Sequence, residues 1–207
     1  AGAPLPALFA VGTPVASEPA VGVILRSSAT TDSELPGLIT VEGWTLDARG
    51  GVTGTAPAPD SMADGGAQVM VSISNVQDGV IRSDLVDNLL IDDGAITAHA
   101  EAIASRVQSE GYDGVELAYL DADPDLRGEF TALVRALDAA LGPDKALAVR
   151  VPFAQRSGDG WNTGGYEWQS IGELADLVRI PLPADPAAYG AEGDVDSMLA
   201  WAVGQIQ

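Results

Sequence analysis

Short apolar runs alternate along this chain with longer stretches in which apolar residues recur every three or four positions. The runs Val21–Arg26, Leu38–Thr45, Val69–Ser74, Gly114–Leu120, Ala146–Phe153 and Leu177–Leu182 predict six strands. They are rich in Val, Ile and Leu at nearly every position, the pattern of parallel strands covered on both faces.

Between and after the later runs the period changes to that of a helix. Ser83–Leu90 opens with a capping residue and sets Leu85, Leu89 and Leu90 on one face. Ala95–Glu110 places Ile96, Ile103 and Val107 at helical spacing before Gly111, which suits a helix C-terminus. Asp125–Leu141 carries the stripe Leu126, Phe130, Leu133, Val134 and Leu137, and Gly142-Pro143 stops it. Tyr166–Leu174 and Asp194–Val203 complete the helices. Strands alternating with helices predict a parallel α/β fold, either a barrel or a doubly wound sheet. No glycine-rich phosphate loop follows the first strand, which argues against a nucleotide-binding sheet.

Residues 1–19 differ from the rest. They are rich in Ala, Pro and Gly and read as an arm or linker, with Leu8-Phe9-Ala10-Val11 able to add an edge strand. The globular domain is expected over residues 20–207. The start at Ala1 fits a processed form or an excised segment.

Charge narrows the function. Thirty acidic residues against ten basic ones give a formal net charge of −20. Such a surface repels phosphate backbones and anionic headgroups, so nucleic-acid and membrane-surface roles are not expected. No apolar run approaches the roughly 20 residues of a membrane helix. There is no cysteine, hence no disulfide framework and no thiolate metal site.

The segment Gly111-Tyr112-Asp113-Gly114-Val115-Glu116-Leu117-Ala118-Tyr119-Leu120 resembles the fourth strand of family 18 glycoside hydrolases, with its DGxxxDxE signature. Leu38 to Gly54 is similar to the second strand and hairpin of the subgroup linked to spore cortex and peptidoglycan. Val69 to Asn75 with Ser83 to Leu90, Leu147 to Pro152, and Tyr166 to Val178 follow in the family's order. The resemblance runs over most of residues 37–206. It implies a (β/α) barrel of TIM type that works at the C-terminal ends of its strands. A complete barrel needs about 250 residues; this chain of 207 offers about six strand–helix units, so an incomplete barrel is expected. Its open edges then need cover from the N-terminal arm, a neighbouring domain or a partner protein.

The resemblance also implies what is lost. The family's general acid is the last residue of the signature, here Leu120, and the aspartate two before it is here Ala118. Only Asp113, structural in the family, remains. General acid catalysis is worth about 10²- to 10⁴-fold, and leucine has no proton to give. The expectation is a catalytically degenerate domain of a secreted or cell-surface protein, acting as a scaffold or interaction module without cofactor.

Two alternatives stay open. A binding domain for a β-linked glycan, chitin or peptidoglycan, would use the aromatics near strand ends: Trp44, Trp161, Tyr166 and Trp168. A hydrolase with relocated acid chemistry would use Asp121 or Asp123. For those two the plainer reading is a solvated loop, with Asp123 capping a helix that begins at Pro124. Glu116 lies on the inward face but deep in the strand, and is expected as a buried, paired carboxylate. The acidic run Asp121, Asp123 and Asp125 lacks the glycine and glutamate of a calcium loop, so no metal is expected. His99 has no second histidine and reads as a surface residue.

Overall fold

The structure, a computed structural model, describes residues 8–9, 22–26, 38–61, 67–190 and 193–206. Most of the arm expected over residues 1–19, including Ala10-Val11, lies outside the described residues.

All six predicted strands form. The first two of the chain, β1 (Leu8–Phe9) and β2 (Gly22–Arg26), precede β3 (Leu38–Leu46), which turns through a hairpin into β4 (Val52–Gly54). Next come β5 (Gln68–Ser74) and the small hairpin β6 (Val76–Gln77) with β7 (Val80–Ile81). Helices α1 (Ser83–Leu90) and α2 (Asp93–Glu110) lead to β8 (Gly114–Ala118), and α3 (Arg127–Leu141) leads to β9 (Ala146–Arg150). A second hairpin, β10 (Gln155–Ser157) with β11 (Gly160–Asn162), precedes α4 (Trp168–Leu174), β12 (Leu177–Pro181) and α5 (Val195–Gln205).

One sheet organises the molecule, in the order β1-β2-β12-β9-β8-β5-β3-β4. Its centre is five parallel strands in chain order, β3, β5, β8, β9 and β12. One face packs against the helices. There Val71, Ile73, Val115, Leu117, Val149 and Val178 meet the stripes of α2 and α3, including Ile103, Val107, Phe130 and Leu137, all buried. This is the (β/α) barrel architecture, present as an incomplete arc. The arc curls strongly: the Arg179 guanidinium on β12 donates to Thr40 Oγ1 on β3 at 2.9 Å, with three strands lying between them in the sheet.

The first predicted strand departs from expectation in direction. β2 runs antiparallel to β12, from Leu177 opposite Arg26 to Pro181 opposite Gly22. An antiparallel strand at the edge of a parallel sheet is common, and here it pairs the outward backbone groups of β12. β1 pairs with β2 in turn, so Leu8-Phe9 does add an edge strand.

Helix ends follow local chemistry. Asp92 caps α2, its carboxylate accepting from the Gly94 and Ala95 amides, and Gly111 ends the helix at φ +80°, as its position after the last apolar residue foretells. Ser83 is not the cap of α1; it is the first helical residue, and Arg82 stands at the cap position, where its side chain pairs with Asp84 and makes no capping bond to the backbone.

Candidate functional site

The third of the five parallel strands, β8, carries the segment in which the sequence placed its candidate residues. At its N-terminal end Asp113 Oδ2 accepts from the Val69 amide at 2.8 Å. Its backbone N–H donates to Val69 O, and its carbonyl accepts from Ala146 N. Asp113 thus fastens β5, β8 and β9 together, far from the working end. Gly114 follows for a steric reason: a Cβ there would lie 2.2 Å from the Ala146 carbonyl oxygen. The Asp-Gly half of the signature is accounted for by strand assembly.

Alternation along β8 turns Glu116 and Ala118 to the concave side, with Leu120 continuing it beyond the strand. Glu116 is fully buried and ion-paired, as expected. Arg150 approaches it through Nη2 at 2.7 Å and Arg179 through Nη1 at 2.9 Å. Ala118 is buried on the same side. Leu120, at the strand end, is held by both amide atoms of the buried Asn75: its N–H donates to Oδ1 and its carbonyl accepts from Nδ2, each at 2.9 Å. Neither residue 118 nor residue 120 carries an ionisable group.

Beyond the strand, Asp121 takes a left-handed backbone conformation, φ +56°, and is exposed. Asp123 does cap the following turn. Its carboxylate accepts from Asp125 N, with Pro124 at the first position of a short 3₁₀ helix that runs into α3. Asp123 N in turn donates to Asp87 on α1. Among the described residues no three His, Asp or Glu side chains converge in a way that would hold a metal ion.

The aromatic residues do not assemble at the strand ends. Trp44 is buried against the helix layer, edge-on to Tyr112 and beneath the Arg106 guanidinium, 4.4 Å from the ring centre. Its placement has a specific cause. Simple alternation puts Thr40, Glu42 and Trp44 on one face, but the β3–β5 register slips between Glu42 and Trp44. This bulge at Gly43 turns Trp44 to the outer side. Tyr166 is buried as well, stacking edge-on with Phe130 and donating to the Tyr119 carbonyl at 2.9 Å; burial pushes its phenol up to about 12. Trp168 packs in the core against Trp201. Trp161, half-buried, has Trp201 on one side and the Arg156 guanidinium 4.8 Å from its ring centre. Of the four rings, Trp44, Tyr166 and Trp168 are core, and Trp161 alone keeps part of its surface exposed.

His99 is not a surface residue. It is buried between α2 and the sheet, with Nδ1 2.6 Å from the Gly50 carbonyl and Nε2 2.5 Å from the Tyr119 hydroxyl. Burial lowers its pKa, and drives that of Tyr119 well up. Arg150 and Arg179 were the residues sequence reasoning passed over. An arginine inside each of two otherwise apolar strands, with Glu116 inside a third, was the available signal.

The sequence matches no protein-family model and no curated protein. Solved structures share its fold. The sporulation-specific protein ydhD from Bacillus subtilis superposes with a TM-score of 0.73 at 19% identity, over 89% of this chain and 64% of that one. A chitinase from Chromobacterium violaceum gives 0.69 at 22% identity, over 82% and 57%. The spore cortex-lytic enzyme SleL from Bacillus megaterium gives 0.68 at 14%, over 83% and 48%. The chain has the barrel fold of the chitinase and cortex-lytic glycosidases, the fold of family 18, and spans between about half and two thirds of the length of these structures.

Proposed function

We propose that this chain is a non-hydrolytic, family 18-like domain of an extracellular or cell-surface protein, serving as a scaffold or interaction module. The observation that carries the reading is Leu120. It occupies the place of the family's general acid, locked there by Asn75, with Ala118 where the substrate-orienting aspartate would stand. Neither side chain can donate or accept a proton, and the deeper carboxylate, Glu116, is committed to two arginines. Location rests on the neighbours of this fold, one a spore cortex-lytic enzyme and another the chitinase domain of a spore coat protein.

Calorimetric titration with chitin and peptidoglycan oligosaccharides, with product analysis of the same samples, tests this. The scaffold reading expects neither heat nor cleavage. Binding without cleavage would favour a glycan-binding domain that works without Trp44, Tyr166 and Trp168. Cleavage would overturn the reading and point to Asp121, whose strained backbone one residue past Leu120 is the kind of feature that accompanies active sites.

A further inference from the structure

The concave face of the sheet carries a charge imbalance that the fold resolves only in part. Glu116 supplies one buried carboxylate to two guanidinium groups. Arg150 meets it through Nη2 at 2.7 Å and Nε at 3.3 Å; Arg179 meets it through Nη1 at 2.9 Å and gives Nη2 to Thr40. Each guanidinium has five N–H donors, so these contacts occupy fewer than half of the ten. The next acid, Glu42, stops 4.0 Å from Arg150 Nη2, and its side chain is 77% exposed. Both arginines keep about a fifth of their surface open, 23% and 20%.

Among the described residues no other acid pairs with either arginine. The pairing of Leu117 with Val149 sets Ala118 level with Arg150, and Leu120 lies beyond it on the same side. Two apolar residues thus border two arginines whose charge Glu116 offsets only by half, the rest being left to the exposed and longer contact with Glu42.

We propose that this face is a binding site for a small ligand bearing a single carboxylate. Arg150 presents its unused edge to the ligand, Arg179 flanks it, and Glu42 is the loosely held acid that the ligand displaces. Guanidinium–carboxylate pairing is planar and two-pronged, which suits donors already fixed on one edge by Glu116. A monoanion in place of Glu42 matches the charge that Glu116 leaves over. A dianion such as phosphate would bring a second charge against Glu42 and the acidic surface. The proposal does not depend on whether the domain hydrolyses glycans.

The carboxylate can come from an acidic sugar or from the end of a peptide, and two probes separate them. The whole chain is titrated with glucuronate and with N-acetylalanine, with N-acetylalaninamide and inorganic phosphate as controls, while arginine side-chain NMR signals are followed. Saturable shifts of the Arg150 and Arg179 signals with at least one acid, and none with the amide, are expected. The acid that binds more tightly identifies the source. Glu42→Gln removes the competing acid from an exposed position and is expected to tighten binding by about two- to fivefold, the range of a solvent-exposed charge pair. Added salt is expected to weaken it. No saturable shift with either acid, an equal response to the amide, or tighter binding of phosphate than of both acids would overturn the proposal. So would an affinity unchanged in Glu42→Gln.

Discussion

His99 Nε2 lies 2.5 Å from the Tyr119 hydroxyl, while its Nδ1 faces the Gly50 carbonyl at 2.6 Å. The carbonyl can only accept, so Nδ1 carries the proton and Nε2 accepts from Tyr119. One neutral ring thereby ties α2 to the β3–β4 hairpin and to the end of β8.

That arrangement makes stability depend on pH in a defined direction. Burial holds the folded His99 below its ordinary 6.5, against the opposing effects of the Gly50 carbonyl and Asp47. Below pH 6.5 the unfolded chain takes up a proton that the folded chain refuses. This contribution is therefore complete above 6.5 and is lost as pH falls toward the folded value. Urea unfolding at pH 7.5 and 5.5 is expected to show a larger acid loss in the natural chain than in His99→Gln. Tyr119→Phe leaves Nε2 without its donor and is expected to cost about 1–3 kcal/mol at pH 7.5.

Gly43 decides which way Trp44 faces. Its φ is +149°, and a Cβ would sit 2.3 Å from the Thr55 carbonyl oxygen. Gly43→Ala is expected to cost about 2–4 kcal/mol, through backbone strain and overlap together. It should also alter tryptophan fluorescence, because the bulge that seats Trp44 in the core is disturbed. Gly79→Ala is the control. It too has a positive φ, +76°, but open space around it, and should lose only about 1–2 kcal/mol.

These two residues also mark the boundary of what the sequence discloses. The helices and the six predicted strands were legible to within a few residues, since period and punctuation by Gly111 and Gly142 depend on local chemistry; the short hairpins β6–β7 and β10–β11 carry no such period and were not. Glu116 was legible too, because a carboxylate inside an apolar strand requires a partner. Trp44 was not: period two predicts a face only while register is unbroken, and Gly43 breaks it by one residue. His99 was misplaced despite a usable sign. It stands three residues after Ile96 and four before Ile103, on the buried stripe of α2, where a polar residue must be bonded. The direction of β2 is set by an edge formed more than 150 residues later, at Leu177–Pro181, and no local pattern encodes it.

Glu116 should be the most costly acid in the protein to neutralise. It is fully buried between Arg150 and Arg179, and Glu116→Gln would leave two guanidinium groups facing each other across a neutral amide. A loss of about 3–5 kcal/mol is expected, as for breaking a buried ion pair from one side. Glu42→Gln, at the exposed and longer contact with Arg150, should stay within about 0.5 kcal/mol. Equal losses in the two variants, read from urea midpoints, would show that the concave cluster does not hold the arc together.

Asn75 should control the order of the strand end at which any chemistry would take place. Its amide both donates to and accepts from the Leu120 backbone, so it acts as an added rung between β5 and β8 after the regular pairing ends at Ser74 and Ala118. Asn75→Asp retains the acceptor for Leu120 N–H but sets a second oxygen against the Leu120 carbonyl. The conflict between two acceptors at a fully buried position is expected to cost about 1–3 kcal/mol. Because it is local, hydrogen exchange should read it at residues 120–123 before global unfolding does. Faster exchange confined to the Leu120 to Asp123 amides would establish Asn75 as the clamp on that loop. Unchanged exchange there would mean that the loop is held by the Asp123 N–H bond to Asp87 and by the Tyr166 hydroxyl behind Ala122.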